Sequence, residues 1–412
     1  MSVLASLYTS AMGMRTQSHV MERISGNVAN MNTTGYKSFD AHLQDSINHI
    51  NTKGRFLGVS SVDVRRADKQ GVIQATSRAL DLALNGQGFF IVNPEFDTSG
   101  EQYFTRNGAT SSRVGEDGNA YLTTPDGKYI QGWTAGENGA VDTTRTLGPI
   151  MINSLDSVPG QVTTELAFAA NLEANATTGH VFESNIWSNP DANGVNESYA
   201  LAMAWTPDPI AQNTWALNCS VRAPDGTVTA LNPPTTVTFN GLGGLQSPTD
   251  PVSLTVPFAD GTSTTLALDL SGMTQYGEGG FTERQQVANG YSAGQLKSLG
   301  FNASGELFGS FTNGVSRVMA QLAIADFVAP QNLTDAGNTM FTYNDRAGAI
   351  DIFAADDAGD RLAIVPSSLE ASTVDVAEEF TTMITTQKAY STSATVFRSS
   401  DEMIQTARDL KR

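Results

Sequence analysis

Ser25-Gly26-Asn27-Val28-Ala29-Asn30-Met31-Asn32-Thr33-Thr34-Gly35-Tyr36-Lys37-Ser38-Phe39 is the stretch from which the rest of the chain is read. Up to Ala29 the residues keep helical spacing, and Asn32-Thr33-Thr34-Gly35 then breaks it. Polar side chains there can bond their own backbone, and a glycine is free to take positive φ. Asn27 and Asn30 are unusual inside a helix, because asparagine lowers helix propensity and brings an amide that needs partners. A helix fraying into a loop has this pattern. So does a helix whose amides bond across a packed helix interface, and that reading puts both asparagines at a contact.

Upstream, residues from Ser2 to about Asn30 predict one amphipathic helix. Leu4, Leu7, Ala11, Met14, Ser18, Met21, Ser25 and Val28 follow alternating steps of three and four, the spacing of a coiled-coil seam. The seam is weak, since two positions are serine, and Gly13 and Gly26 each cost about 1 kcal/mol relative to alanine. The small residues Ala5, Ser6, Ser10, Ala11 and Gly13 would let another helix approach closely. At the other end of the chain Ser372-Thr373-Val374-Asp375 resembles a variant capping box, and Glu378 and Glu379 suit the positive end of a helix. Val376, Phe380, Met383, Gln387, Tyr390, Ala394, Phe397, Asp401 and Ile404 hold heptad spacing after it, and Arg408, Lys411 and Arg412 suit the negative end. Such a helix would span roughly 55–60 Å. Thr385-Thr386 and Ser391-Thr392-Ser393 lower its propensity, so both helices are expected to be marginal alone. The assembly interface is accordingly expected at Leu4, Leu7, Ala11, Met14, Met21, Asn27, Val28 and Asn30, together with Val376, Phe380, Met383, Tyr390, Phe397 and Ile404.

Between the helices the pattern is β. Residues 36–76 have no strong period and predict an extended connector, with one short strand around Phe56, Leu57, Val59, Val62 and Val64. From 77 to 158 alternation at Leu80, Leu82 and Leu84, the apolar run Phe89-Phe90-Ile91-Val92, and turns at Asn107-Gly108, Asp117-Gly118 and Asp126-Gly127 predict hairpins. At Pro159 the composition shifts: ten of the fifteen prolines lie from there to Pro257, and residues 159–280 hold eleven acidic side chains and one basic one, Arg222. Trp215, Leu217, Cys219 and Val221 alternate with Asn218 and Ser220, as an antiparallel sheet with one face in a core requires. Residues 281–366 go back to the short strands and turns of 77–158. The expected fold is multidomain α+β: helices at 1–35 and 367–412 pairing as a coiled coil, a discontinuous, mainly antiparallel β domain at 77–158 and 281–366, and an acidic outer β domain inserted at 159–280.

Whole-chain numbers narrow the function. At 412 residues two to four domains are expected. A net charge of −18 opposes binding to nucleic acid or anionic lipid. One cysteine, Cys219, rules out an intramolecular disulfide framework, and no apolar run reaches the length of a membrane span. The N-terminus lacks the pattern of a cleaved secretory signal. Gly290-Tyr291-Ser292-Ala293-Gly294 spells a nucleophile elbow, yet all four histidines precede it and no buried strand leads into it, so a turn is the better reading. Gly86-Gln87-Gly88 lacks the third glycine and the following helix of a dinucleotide loop. Asp356-Asp357-Ala358-Gly359-Asp360 lacks the terminal glutamate of a calcium loop, and His42 and His49 have no zinc-spaced neighbours. No catalytic residue, cofactor or metal is expected.

The Asn-rich helix end running into Thr33-Thr34-Gly35-Tyr36-Lys37 resembles the N-terminal signature of bacterial flagellar rod and hook proteins. Leu80-Asp81-Leu82 through Gly88-Phe89-Phe90, with Phe104-Thr105-Arg106-Asn107-Gly108, is similar to their first β domain. Ala377-Glu378-Glu379-Phe380, Gln387-Lys388-Ala389-Tyr390 and Asp401-Glu402-Met403 are similar to their C-terminal helix. The resemblance implies a structural subunit that polymerises into the extracellular hook, a flexible joint carrying torque from rod to filament. It also implies contacts with the distal rod, the hook cap and the hook–filament junction proteins, and passage through the flagellar type III export apparatus. Two other readings compete. A distal rod protein shares both ends, but the long insertion favours the hook. An extracellular carbohydrate-binding protein or enzyme leaves the paired terminal seams unexplained.

Overall fold

The computed structural model describes residues 3–50, 54–136, 139–153, 156–231, 233–277 and 280–409. Ser2, Lys411 and Arg412, named above for the helix ends, lie outside them. Helix α1 spans Val3–Ala29 and helix α2 spans Val376–Asp409. No helix among the described residues is long and apolar enough to cross a membrane. The cap of α2 is Asp375, three residues later than Ser372, the first residue of the expected box. Its Oδ1 accepts from the N–H groups of Ala377 (2.9 Å) and Glu378 (3.2 Å), which places Glu378 and Glu379 in the first turn beside the positive helix end.

Residues 36–76, expected to be an extended connector, are instead largely a hairpin of two twelve-residue strands, β1 (Phe39–Ile50) and β2 (Gly54–Arg65), in unbroken antiparallel register. Polar groups tie this ribbon to α1. Thr16 Oγ1 donates to the Val59 carbonyl at 2.9 Å, and Asp63 pairs with His19 at 2.9 Å and with Arg23 at 3.2 Å.

The chain divides into two compact units, Met1–Ser154 with Leu299–Gly309 and Arg317–Arg412, and Leu155–Ser298 with Ser310–Ser316. The first unit joins the helices and the hairpin to a mainly antiparallel sheet. Its central strand Phe89–Asn93 pairs with Tyr103–Thr105, Tyr129–Thr134 and Ser316–Phe327. Strand Leu82–Gly86 is buried at Leu82, Ala83 and Leu84 alike, so it is buried on both faces where alternation suggested one. Phe89, Phe104, Phe327 and Phe341 form the centre of this core, with edge-on ring centroids 4.9–5.7 Å apart.

The second unit has its own core, built from a five-stranded and a six-stranded sheet. Trp215, Leu217, Cys219 and Val221 all point into it, and so do Tyr199, Leu201, Met203 and Trp205 from strand Ser198–Pro207. Burial pushes the Cys219 thiol up to about 12, so it stays protonated and inert. The unit runs past Gly280, where the acidic composition ends. Strand Thr282–Ala288, assigned by its sequence pattern to the first β domain, pairs antiparallel with Glu165–Glu173. It is an exposed edge strand, and its Glu283, Arg284, Gln285 and Gln286 give it the polar character of the neighbouring segments.

Candidate assembly interface

The two terminal helices run antiparallel along a heptad-spaced row. Ser6 Oγ lies 3.1 Å from Ser400 Oγ, a Cβ on Gly13 would sit 3.1 Å from Ser393 Oγ, and Asn27 Nδ2 donates to Glu379 Oε1 at 2.7 Å. Buried Val20 and buried Thr386 take the remaining equivalent places in that register. The row in contact is therefore Ser6, Gly13, Val20, Asn27 against Ser400, Ser393, Thr386, Glu379. It consists of small and polar side chains, which let the backbones approach closely. The apolar row expected to form the seam lies one position over on each helix. Of it, Leu7, Ala11, Met14, Met21, Val28, Val376, Met383, Phe397 and Ile404 are half-buried, and Leu4, Phe380 and Tyr390 are exposed. Met21 and Tyr390 face a common groove of about 560 Å³ with Gln17, Ser18 and Gln387.

The two asparagines divide. Asn27 is buried and fully bonded: its Oδ1 accepts from Phe39 N (2.9 Å) and Tyr36 OH (3.2 Å), and its Nδ2 donates to Phe39 O (2.9 Å) and to Glu379. It ties α1, the start of β1 and the first turn of α2 together. Burial pushes the Glu379 carboxyl up, the Asn27 amide pulls it back, and Asp40 and Glu378 push it further. Asn30 stays local. Its Nδ2 donates to Gly26 O at 2.9 Å and its Oδ1 accepts from Thr33, closing the end of its own helix.

The loop after α1 lies along the segment that leads into α2. Gly35 N donates to Glu370 O (2.8 Å), Ser38 N to Thr373 Oγ1 (2.9 Å), and Thr373 N to Tyr36 O (3.1 Å). Lys37 and Glu370 are both fully buried there, Nζ to Oε1 at 2.6 Å. Glu370 Oε1 also accepts from Gly71 N (2.7 Å), and its Oε2 lies 3.5 Å from the buried Arg106 guanidinium, which donates to Gly86 O (2.8 Å). Three distant stretches of sequence, around Lys37, Arg106 and Glu370, thus meet in one knot that holds two cations on one carboxylate. Burial pulls the Lys37 amine down to about 8, opposed by Glu370 and helped by Arg106. Arg65, also buried, pairs with Asp335 and lies over the rings of Tyr36, Phe39 and Phe341 at 5.3, 4.6 and 4.9 Å from their centroids.

Sequence reasoning missed Glu370 and Arg65, for which no local pattern exists. Lys37 and Arg106 stood in noticed motifs, and the available signal was a cation amid apolar or glycine neighbours.

Gly35 has φ +69°, and a Cβ there would sit 2.6 Å from Asn107 N. Gly35→Ala is expected to lower unfolding free energy by about 3 kcal/mol in urea titration, strain and backbone clash together. Gly118→Ala, with φ +82° and open space around it, should cost only the left-handed conformation, about 1 kcal/mol. Equal losses would contradict the packing role of Gly35.

Lys37 sets a pH dependence. Between pH 8 and 10 the unfolded chain still holds the lysine proton that the folded chain has lost, so the contribution of Lys37 to stability rises with pH through that window, while the raised Cys219 thiol works in the opposite direction in parent and variant alike. Thermal melts should therefore show parent stability gaining about 2 kcal/mol relative to Lys37→Met from pH 8 to 10. A parent profile no steeper than the variant's would contradict the assignment.

Among the described residues no three or more histidine, cysteine or acidic side chains are grouped so that they could hold an ion. Ser292 lies in the short connection between Tyr291, which bridges to Gln161, and strand Gly294–Phe301, where the expected turn is not formed; its carbonyl accepts from Asn313 Nδ2 at 2.7 Å.

Comparison with known proteins matches this geometry segment by segment. Residues 7–37 match the flagella basal body rod protein family, 154–291 the flagellar basal body protein FlaE D2 domain, and 365–410 the flagellar basal body rod FlgEFG protein C-terminal family. The chain is 27% identical over its full length to the full-length flagellar hook protein FlgE of Treponema pallidum, and 29% to that of Brucella suis, again with both chains fully covered. It is 25% identical to FlgE of Salmonella typhimurium, covering 97% of this chain and 98% of that one. In fold it is similar to the crystal structure of Helicobacter pylori flagellar hook protein FlgE2, with a TM-score of 0.53, 13% identity, and coverage of 72% of this chain and 100% of that one. The segments matched at both ends are those that build the helix pair and two corners of the buried knot, and on that evidence the chain belongs to the family of flagellar hook and rod proteins.

Proposed function

We propose that the protein is a structural subunit of the flagellar hook and that it polymerises through the face of the helix pair left over after the intrachain seam is made. The observation that carries this reading is the mismatch between the two rows. Small and polar residues are consumed within the chain, while Phe380 and Ile384 remain 49% and 59% exposed. The hydroxyls of α2 are suited to the same end. Thr381, Ser391, Thr392, Thr395 and Thr406 each donate to the carbonyl four residues back, so a second copy could cover them without stranding a donor.

Contacts of this kind are heterologous: one face of a copy meets a different face of the next, the rotation need not close, and a helical tube results. A tube of long helices resists twist, and β units with sparse charge around it can slide, which suits a joint that bends while carrying torque. The match of residues 154–291 to a FlaE D2 domain favours the hook over a distal rod role. Rod, cap and junction proteins as neighbours, and export through the flagellum's own type III apparatus, complete the proposal. Negative-stain microscopy of the purified protein after salting out tests it: tubes support the reading, and persistent monomers overturn it.

A further inference from the structure

Seven asparagines stand directly before a glycine, at positions 85, 107, 138, 193, 240, 289 and 313. In such a pair the main-chain nitrogen of the glycine can attack the asparagine side-chain amide, because no Cβ shields it. The fold closes this route at most of them. Asn138 lies outside the described residues. The N–H of Gly86 donates to Gln70 Oε1 (3.2 Å), that of Gly194 to Asp191 O (2.9 Å) and that of Gly314 to Phe311 O (3.0 Å). Gly108 and Gly290 are wedged against main chain, so that a Cβ would overlap Leu82 O at the first and Thr163 N at the second.

Asn240–Gly241 differs on each count. Both residues are exposed, in the turn that follows strand Thr235–Phe239. The Gly241 N–H has no partner among the described residues, and nothing lies within 4 Å of where its Cβ would stand. Main-chain bonds from Asn240 N to Gly244 O (2.8 Å) and from Gly243 N to Asn240 O (3.0 Å) hold the turn. The Asn240 side chain folds back over it: Oδ1 accepts from Leu242 N at 2.9 Å and from Gly244 N at 3.0 Å. A side chain whose oxygen bonds the N–H two residues on carries its Cγ over the peptide between, beside the Gly241 nitrogen. Both N–H donors sit on the oxygen where negative charge develops when Cγ is attacked, as in an oxyanion hole.

We propose that Asn240 is a self-modification site, at which the turn converts its own asparagine into a carboxylate. The Gly241 nitrogen loses its proton to hydroxide from solvent and bonds to Asn240 Cγ, while Leu242 N and Gly244 N hold the charge on Oδ1. The Cγ–Nδ2 bond then breaks, the nitrogen leaves as ammonia, and a five-membered succinimide remains. Water opens the ring at either carbonyl, giving aspartate or its β-linked isomer. One water enters and one ammonia leaves, with no change of oxidation state. Each converted copy gains a negative charge beside the exposed Leu242.

The test ages the soluble full-length chain in heavy-oxygen water at mildly alkaline pH and then digests it with trypsin. Arg222 and Arg284 bracket a peptide in which Asn240 is the one asparagine before a glycine. Fragment mass spectra should place a new, heavy-oxygen carboxyl at residue 240, forming about ten-fold faster than at the other Asn–Gly pairs. The rate should rise in proportion to hydroxide. Gly241→Ala, which the open space accommodates, should melt like the parent and convert about ten-fold more slowly or less, because its Cβ hinders the attacking nitrogen. In urea the preference for Asn240 should vanish with the turn. Conversion in the folded chain no faster than at Asn107 or Asn289 would overturn the proposal, as would an unchanged rate in Gly241→Ala. A preference that persists in urea would also overturn it, since the turn would then play no part. The assay needs no polymer, so its failure leaves the hook reading untouched.

Discussion

Phe380→Asp is expected to raise the concentration needed for polymer by about two to four orders of magnitude and to leave thermal unfolding of the soluble chain nearly unchanged. Phe380 is 49% exposed in the single chain, so a carboxylate there meets water and displaces little packing. In a polymer that covers it, the same position loses roughly 1.5–3 kcal/mol of apolar burial. It also gains a desolvation penalty of about 1–3 kcal/mol for an unpaired polar group. Each 1.4 kcal/mol is ten-fold in an association constant, and a polymer repeats the contact in every copy. Val20→Asp is the internal contrast. It puts the same carboxylate into the buried intrachain row, 8% exposed opposite Thr386, and should loosen the helix pair before any polymer is considered. Sedimentation reads the first effect and a thermal melt the second. Polymer from Phe380→Asp at the parent's concentration would mean that this face is not the interface, and an early melt would mean that Phe380 belongs to the fold of the single chain.

Glu370→Ala should cost about 3–5 kcal/mol of stability, because it leaves an uncompensated buried charge. The parent holds two cations, Lys37 at 2.6 Å and Arg106 at 3.5 Å, on one carboxylate that also accepts from Gly71 N. Removing the carboxylate strands Gly71 N and leaves two buried cations without a counter-ion, Lys37 keeping the Lys69 carbonyl and Arg106 the Gly86 carbonyl. Lys37→Met removes one of the two cations and leaves Glu370 and Arg106 as a one-to-one pair, so its loss should be clearly smaller. Urea unfolding of both variants checks the ranking. A larger loss for Lys37→Met, or a change within about 1 kcal/mol for Glu370→Ala, would show that the knot is not held by this charge balance.

What could be read in the sequence, and what could not, divides along physical lines. Periodicity located both helices because their apolar rows are long and regular. It named the wrong row for the intrachain seam, since hydrophobic spacing points to large side chains and the real contact uses Ser6, Gly13, Ser393 and Ser400. Alternation around Trp215 was legible because a sandwich core demands it. The hairpin Phe39–Arg65 was read only as one short strand, and polar groups at Thr16, His19 and Asp63 tie it to α1. Composition marked the start of the acidic insertion at Pro159 but placed its end too early. Strand Thr282–Ala288 is defined by its pairing with Glu165–Glu173, which no local property of an exposed edge strand records. Asn27 was visible as an amide needing partners, and its partners proved to be Glu379, Tyr36 and the Phe39 backbone. Glu370 was silent, because one glutamate in a polar stretch looks like any other until the fold closes on it.

Assembly, on this account, buries the face of the helix pair that the single chain leaves exposed. Hydroxyl-radical footprinting of soluble and polymerised protein, read at Phe380, Ile384 and Met403, tests that most directly. All three are about half exposed or more in the single chain, at 49%, 59% and 60%. The expected result is fast oxidation in the soluble protein and strong protection of Phe380 and Ile384 in polymer, while Val114 and Val228, exposed on the β units, react equally in both. Oxidation of Phe380 and Ile384 at the same rate in both states would contradict the account.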